Sequence, residues 1–242
     1  MVCSCSTSKK RQSWAVTGRG RPPGSRQEER YIMNKAEAWS IVGGLSKPSK
    51  MPGYGYGLSA KDCITGSKLR KIAGSICSGC YALKGRYVFP NVYAAHQRRL
   101  QSLKNKLWIQ AMAFLINFHS KKVPYFRWHD SGDLQSLEHL EKIAEVCRLT
   151  PSVMHWMPTR EASIVKKYLE KHGPVPRNLV LRISATMING VPHKFHEHSS
   201  TVVTSPSLAS EALCRAPENG NTCGPCRSCW NPKIKDIAYL KH

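Results

Sequence analysis

Seven of the ten cysteines in this 242-residue chain fall into two groups whose spacing is typical of metal ligands. The groups, spaced C-x13-C-x2-C and C-x8-C-x2-C-x2-C, are Cys63, Cys77 and Cys80, and then Cys214, Cys223, Cys226 and Cys229. A two-residue gap lets both thiolates of a tight turn face one metal centre. We therefore predict that all seven are metal ligands. The spacing leaves open two separate sites, one shared site, or a site that joins the first group to the tail.

Three kinds of cysteine chemistry fit this spacing: iron–sulfur clusters, structural zinc and disulfides. The chain shows no secretory signal, so we expect a reducing compartment, which disfavours disulfides. Zinc ribbons also use C-x2-C pairs, but their pairs lie about 12–20 residues apart, whereas Cys80 and Cys223 are far more distant. The third close cysteine of the tail, Cys229, is typical of a ferredoxin-like run. We therefore favour one or two four-iron clusters, with zinc as the alternative.

Polar residues stand where three apolar segments end, which predicts a second kind of site. Glycine at such a point lets a ligand approach the backbone, and carboxylates there can accept hydrogen bonds from an amine or a hydroxyl. The simpler alternative is that Asp130 or Ser131 caps the helix that follows. The residues in question are Asp130, Ser131, Gly132 and Asp133, then Thr159 and Arg160, then Ser184.

Two arginines lie inside apolar segments, at Arg127 and Arg182. A buried guanidinium without a partner would be costly, because its charge would lose water without compensation. We therefore expect each arginine to meet a carboxylate or a bound anion.

Downstream of the first cysteine group, short apolar segments alternate with segments of helical spacing. Helices are predicted over residues 92–119, 134–149 and 161–172, and strands at PYFRWHD, VMHWMPT, LVLRISAT and TVVTS. Residues 39–57, rich in Gly, Ser and Pro, are predicted to form an ordered loop. Strands joined by helical crossovers form a parallel sheet, so we predict an α/β fold whose sheet is an open partial barrel with flanking helices. Chemistry in such sheets gathers at the carboxyl ends of the strands.

The chain divides into three segments by composition. Residues 1–32 are rich in Ser, Gly, Arg and Pro without an apolar period, and are predicted to be a disordered leader. Residues 33–206 are predicted to form the α/β metal-binding domain. Residues 207–242 are predicted to be a Cys-rich C-terminal segment packed on that domain.

The charge balance favours a polyanionic partner. Lysine and arginine number 37 against 15 acidic residues, a formal net charge of +22, so nucleic acid or another polyanion is a natural partner. The alternative is that the charge aids solubility or offsets an anionic cluster. No segment reaches the ~20 apolar residues of a membrane span, so we expect a soluble, cytoplasmic protein without a membrane partner.

The segments CSGCYALKGRY, YFRWHDSGDLQS, MPTR and CGPCRSCW resemble the phage "gene product eighty-eight" family, from about Trp39 to the carboxyl terminus. That family in turn resembles, distantly, the radical S-adenosylmethionine enzymes, whose partial barrel carries a three-cysteine cluster loop after its first strand. The resemblance implies a four-iron cluster on the first cysteine group and an auxiliary cluster on the tail. It also implies that Ser131, Gly132 and Asp133 hold the methionine amine of S-adenosylmethionine and that Ser184 faces its ribose. The first gap here has thirteen residues where those enzymes have three.

Two functions follow from these features. The first is a phage-encoded iron–sulfur protein of radical S-adenosylmethionine-like architecture, working in the host cytoplasm with a reductant protein and performing one-electron chemistry on an unidentified substrate. The second is a zinc-stabilised, non-enzymatic protein that binds nucleic acid or a host protein.

Deletion of residues 1–32 is expected to leave fold and metal content unchanged, because this segment has no apolar period with which to join a core. Circular dichroism and metal analysis of the truncated protein provide the measurement. Loss of the cooperative thermal transition on truncation would show that the leader belongs to the fold.

Overall fold

Seven parallel strands form the sheet around which the chain is organised, in the order β1-β2-β3-β4-β5-β7-β6. The computed structural model describes residues 33–241, so the predicted leader lies outside the described residues. The strands are β1 Tyr54–Tyr56, β2 Tyr125–Trp128, β3 Met154–Thr159, β4 Leu179–Ser184, β5 Ser199–Val203, β6 Ala212–Leu213 and β7 Asp236–Leu240. Every pairing between them is parallel. The predicted α/β class with an open parallel sheet is confirmed.

Six helices of six residues or more accompany the sheet within the described part of the chain. They are α1 Lys35–Val42, α2 Ile64–Leu69, α3 Pro90–Ser102, α4 Trp108–His119, α5 Leu137–Leu149 and α6 Ala162–His172. Side chains of α1, α4, α5 and α6 form the main core with β1 to β4, and its largest members include Trp108, Trp128 and Phe126. No helix within residues 33–241 has the length and apolar character to cross a membrane.

The predicted helix over residues 92–119 is in fact two helices, α3 and α4. The break falls at Asn105, whose side chain accepts a hydrogen bond from the Leu107 backbone N–H at 2.8 Å. Asparagine competes for local backbone groups in this way and favours turns over helix interiors. The turn redirects the chain so that Trp108 enters the core with none of its surface exposed.

Three strands were not predicted from the sequence, namely β1, β6 and β7. The segment predicted as an ordered loop at residues 39–57 contains part of α1 and all of β1, which is three residues long with a glycine at its centre. The Cys-rich segment supplies β6 and β7, and β7 lies between β5 and β6. The carboxyl-terminal cysteines are therefore carried by a segment that extends the sheet.

The face of the sheet opposite the main core carries Arg127, Trp156 and Arg182, and the Cys-rich segment lies against it. Trp230 packs edge-on against Trp156, with ring centroids 5.1 Å apart. Its indole N–H donates to the Phe126 carbonyl at 2.9 Å. Trp230 is 2 % exposed, so this side chain closes the second face at the level of β2 and β3.

Arg182 attaches the Cys-rich segment to the sheet through backbone carbonyl groups. Its side chain is fully buried. Carbonyl oxygens of the tail and of β5 satisfy the guanidinium. The expected carboxylates, Asp236 and Glu211, act on Arg182 through their charge without a direct hydrogen bond. The six acceptors, at 3.0 to 3.3 Å, are the carbonyls of Ser199, Ser228, Cys229, Asn231, Ile234 and Lys235.

Substitution Arg182→Met is expected to lower the free energy of unfolding by about 3 kcal/mol or more, because it leaves several buried carbonyls without a donor. Urea denaturation followed by tryptophan fluorescence measures this loss. Arg148→Met is the control, since Arg148 is half exposed and pairs with Glu145 at the surface, where a change of less than about 0.5 kcal/mol is expected. Equal stability of the two variants would contradict the role given to Arg182.

Candidate metal centre at the carboxyl edge of the sheet

The first cysteine group lies on a loop that is fastened to the carboxyl ends of β3 and β4. The backbone N–H of Ile76 donates to the Thr186 carbonyl at 2.9 Å, just beyond β4. At the other end of the loop, Thr65 donates to the carboxylate of Glu161 through its backbone N–H at 2.8 Å and its hydroxyl at 2.7 Å. Glu161 follows β3 by two residues. The cysteines are thus held at the edge where parallel sheets place their chemistry.

Cys63 and Cys77 converge over Gly66, which lies on α2. A Cβ atom added at Gly66 would lie 3.6 Å from the Sγ of Cys63 and 3.7 Å from the Sγ of Cys77. The hollow above this glycine is therefore bordered by two sulfur atoms. Cys80 lies close enough that its charge raises the pKa of both other thiols, after burial, which has the largest effect.

The surroundings of Cys63 and Cys77 favour the protonated thiol by raising the pKa of both side chains. Burial, followed by the nearby carboxylate of Asp133, raises the pKa of Cys63 to about 12. Burial also raises the pKa of Cys77, although the guanidinium of Arg160 opposes that effect. Metals bind the thiolate form, so a metal bound here would have to displace these protons.

The three thiol groups lie near one another but do not surround a common point. Among residues 33–241, no three His, Cys, Asp or Glu side chains are arranged to hold a metal ion as they stand. A metal or cluster would therefore need the cysteine side chains to rotate between staggered positions. The donor set suits a thiophilic metal, and the glycine hollow leaves space between the sulfurs, so the residues present fit such a group.

The four tail cysteines form a second group on the far face of the sheet. Cys214, just after β6, donates its backbone N–H to the Ala238 carbonyl, and Cys223 donates to the Lys50 carbonyl. Burial raises the pKa of Cys229 to about 11, with Cys214 adding to the effect. Cys226 is exposed, and its thiol lies 3.3 Å from the Ser228 hydroxyl. Burial raises the pKa of Cys223, and the charges of Cys214 and Cys226 add to the effect, so Cys214 lies near both Cys223 and Cys229.

Arg127 is the basic residue of β2 that lies near the tail cysteines Cys223 and Cys229. Its guanidinium lies 4.4 Å from the ring centroid of Trp156, a cation–π contact, and its Nη1 is 2.9 Å from the Met51 sulfur. The charges of Asp130 and Cys229 both act on it. Within the described residues its buried Nε has no hydrogen-bond partner. The expected neighbouring carboxylate is therefore Asp130, without a direct hydrogen bond between the two.

The strand-end residues predicted to hold S-adenosylmethionine serve hydrogen bonds inside the fold. Ser131 donates its hydroxyl to the Leu58 carbonyl at 2.7 Å. Asp133 accepts from the Thr159 hydroxyl at 2.6 Å and from the Arg160 backbone N–H at 2.8 Å. The hydroxyl of Ser184 lies 3.0 Å from that of Ser200, its neighbour on β5.

Gly132 has a left-handed backbone, with φ +71°, and packs against the chain itself. A Cβ at this position would lie 2.8 Å from the Leu58 carbonyl carbon and oxygen. Glycine at position 132 therefore allows its backbone to pack closely against the segment after β1. The contact between Gly132 and a ligand stays a prediction. Neither Asp130 nor Ser131 caps the next helix, because Ser136 accepts from the His139 N–H at the start of α5.

Two residues of the site were missed by sequence reasoning, namely Gly66 and Glu161. Gly66 did give a signal, since a glycine inside a short helix after Cys63 lowers helix propensity and needs a local reason. Glu161 gave none, because its bonds to Thr65 join residues 96 positions apart.

A family model described as Gene product 88 matches residues 26–232 of the chain. No curated protein and no solved structure matches it.

Gly66→Ala is expected to lower metal affinity by about tenfold or more, the usual cost of disturbing groups that orient metal ligands. The added methyl group would lie between the two sulfurs and 2.9 Å from the Cys63 Cβ. Competition with a chromophoric chelator measures the affinity. Gly79→Ala is the matched control, because this glycine lies between Cys77 and Cys80 and a Cβ there would meet nothing within 4 Å. Equal affinities in the two variants would show that the hollow holds no metal.

Proposed function

Since the chain belongs to the Gene product 88 family of phage proteins, and carries two cysteine groups on one parallel sheet, we propose that it is an iron–sulfur protein. In this proposal Cys63, Cys77 and Cys80 hold a four-iron cluster at the carboxyl edge of the sheet. The observation that carries the proposal is the convergence of the Cys63 and Cys77 sulfurs over Gly66.

The number of cysteines in the first group suits a cluster that reacts with a small molecule. A four-iron cluster fully held by protein takes four cysteines, so three would leave one iron for another ligand. A bound cluster would supply one electron at a time at this edge. The protein would supply the fixed positions of the thiols, through the hydrogen bonds of Thr65 to Glu161 and of Ile76 to Thr186.

The tail cysteines would hold a second cluster in a more basic setting. Arg127 and Arg182 both lower the pKa of Cys229, against the larger effect of burial. Cations beside a cluster favour its more reduced, more negative state, since charge and hydrogen bonds around the sulfurs set the reduction potential. The second cluster would therefore have the higher reduction potential and be suited to accept electrons from the first.

S-adenosylmethionine is not required by this proposal. The polar atoms of Ser131 and Asp133 already bond to Leu58, Thr159 and Arg160. Chemistry at the first group could equally involve another small ligand, with the one-electron step unchanged.

Iron, acid-labile sulfide and zinc in protein purified without oxygen provide the test. We expect about four irons and four sulfides for each cluster present, with a paramagnetic resonance signal after dithionite reduction. Cys77→Ala and Cys80→Ala should each lose the iron of the first cluster. Cys147→Ala should keep it, because Cys147 is a fully buried core residue on α5. Stoichiometric zinc without sulfide would replace the proposal with the zinc-stabilised binding protein.

A further inference from the structure

Beside Cys80 lies a surface of exposed apolar side chains that the iron–sulfur proposal does not use. We call this surface the aromatic rim and define it as Tyr81, Val88, Phe89 and Tyr93, whose exposed fractions are 59, 48, 53 and 38 %. All four lie within thirteen consecutive residues. Exposed apolar surface gathered in this way usually marks an interaction site.

The ring of Tyr81 within the aromatic rim is held in place. The hydroxyl of Tyr81 donates to the Asp130 carbonyl at 2.6 Å, and its ring meets Tyr87 edge-on at 5.7 Å. Phe89 is the N-cap residue of α3, and its carbonyl accepts a hydrogen bond from the backbone N–H of Tyr93 at 2.9 Å, so the two residues lie one helical turn apart. A ring fixed before binding loses little side-chain entropy when a partner arrives.

The segment that carries the aromatic rim is basic, although the carboxylates of Asp62 and Asp130 lie near it. Residues 63–129 contain twelve lysines and arginines and no aspartate or glutamate. Lys84 and Arg86 are exposed within the rim's own segment. The ammonium group of Lys61 lies 4.8 Å from the ring centroid of Tyr93. Cations are thus placed among exposed rings.

We propose that the aromatic rim binds single-stranded nucleic acid. Unpaired bases stack on aromatic side chains while basic residues follow the phosphates, and both elements are present on this surface. In a duplex the faces of the bases are already stacked, so a duplex could contact the basic residues but could not stack on the rings. A protein partner is less well matched, because interfaces between proteins usually contain few lysines.

This inference does not rest on the proposed function. A chain that holds zinc could still bind nucleic acid through the rim, and a chain that holds iron could fail to do so. The binding assay therefore succeeds or fails independently of the metal analysis.

Fluorescence anisotropy on the full-length protein tests the proposal. The labelled strands have about 20 nucleotides, which is longer than the ~4–16 nucleotides that a single nucleic-acid-binding fold covers. Thymidine and uridine homopolymers should both bind, and a preference between them would identify DNA or RNA as the favoured source. Phe89→Ala should weaken binding by about fivefold or more, the loss expected for one stacked base. Lys84→Ala should reduce the slope of log affinity against log salt by about 0.7, the value for one phosphate contact.

Two matched controls separate the rim from general surface effects. Phe195→Ala removes a ring that is 45 % exposed outside the rim, and Lys166→Ala removes an exposed cation on α6. Both should leave affinity within about twofold, since they remove no contact of the rim. The proposal is overturned if no strand binds, if Phe89→Ala binds as the wild type does, or if a duplex or heparin binds equally well and the rim variants affect all ligands alike.

Discussion

A hydrogen-bond network between two buried carboxylates determines where the first cysteine group can lie. Asp133, after β2, accepts from the Thr159 hydroxyl at the end of β3. That hydroxyl oxygen accepts from the backbone N–H of Glu161, whose carboxylate receives both bonds from Thr65. Thr65 is two residues from Cys63, so the ends of β2 and β3 are linked to the cysteine-bearing helix by consecutive hydrogen bonds. Buried polar chains of this kind are costly when broken, because each unpaired group keeps its full desolvation penalty.

The second face of the sheet is organised by a different interaction. Arg182 gathers carbonyls from the tail and from β5, and Trp230 fills the space against Trp156. The peptide carbonyl of Cys229 is among those acceptors. The backbone at Cys229 is therefore anchored directly to the sheet.

The local pattern of apolar residues was sufficient to predict the strands and helices whose packing neighbours are close in sequence. Strands β2 to β5 and helices α5 and α6 followed from apolar period and crossover order. The sequence also led to the cysteine groups and to the polar strand ends. It did not lead to β1 or β6, which are too short to show a period, or to β7, whose place between β5 and β6 is set by tertiary pairing. The partners of Arg182 and Glu161 could not be predicted either. Those of Arg182 are backbone carbonyls of distant segments, and the partner of Glu161 is Thr65, nearly a hundred residues away.

Charge at the carboxyl edge favours a cationic occupant. Three thiols share this edge with Asp133 and Glu161, and both carboxylates raise the pKa of Cys63, after burial, which contributes most. Deprotonating several of these thiols would place like charges side by side in a poorly solvated region, which is unfavourable without compensation. Arg160 lowers the pKa of Cys77, but its side chain also bonds to the Ala185 carbonyl. A metal centre would bring the positive charge that thiolates and neighbouring carboxylates need together. The acidic network that fixes the loop would therefore also attract a cation to this edge of the sheet.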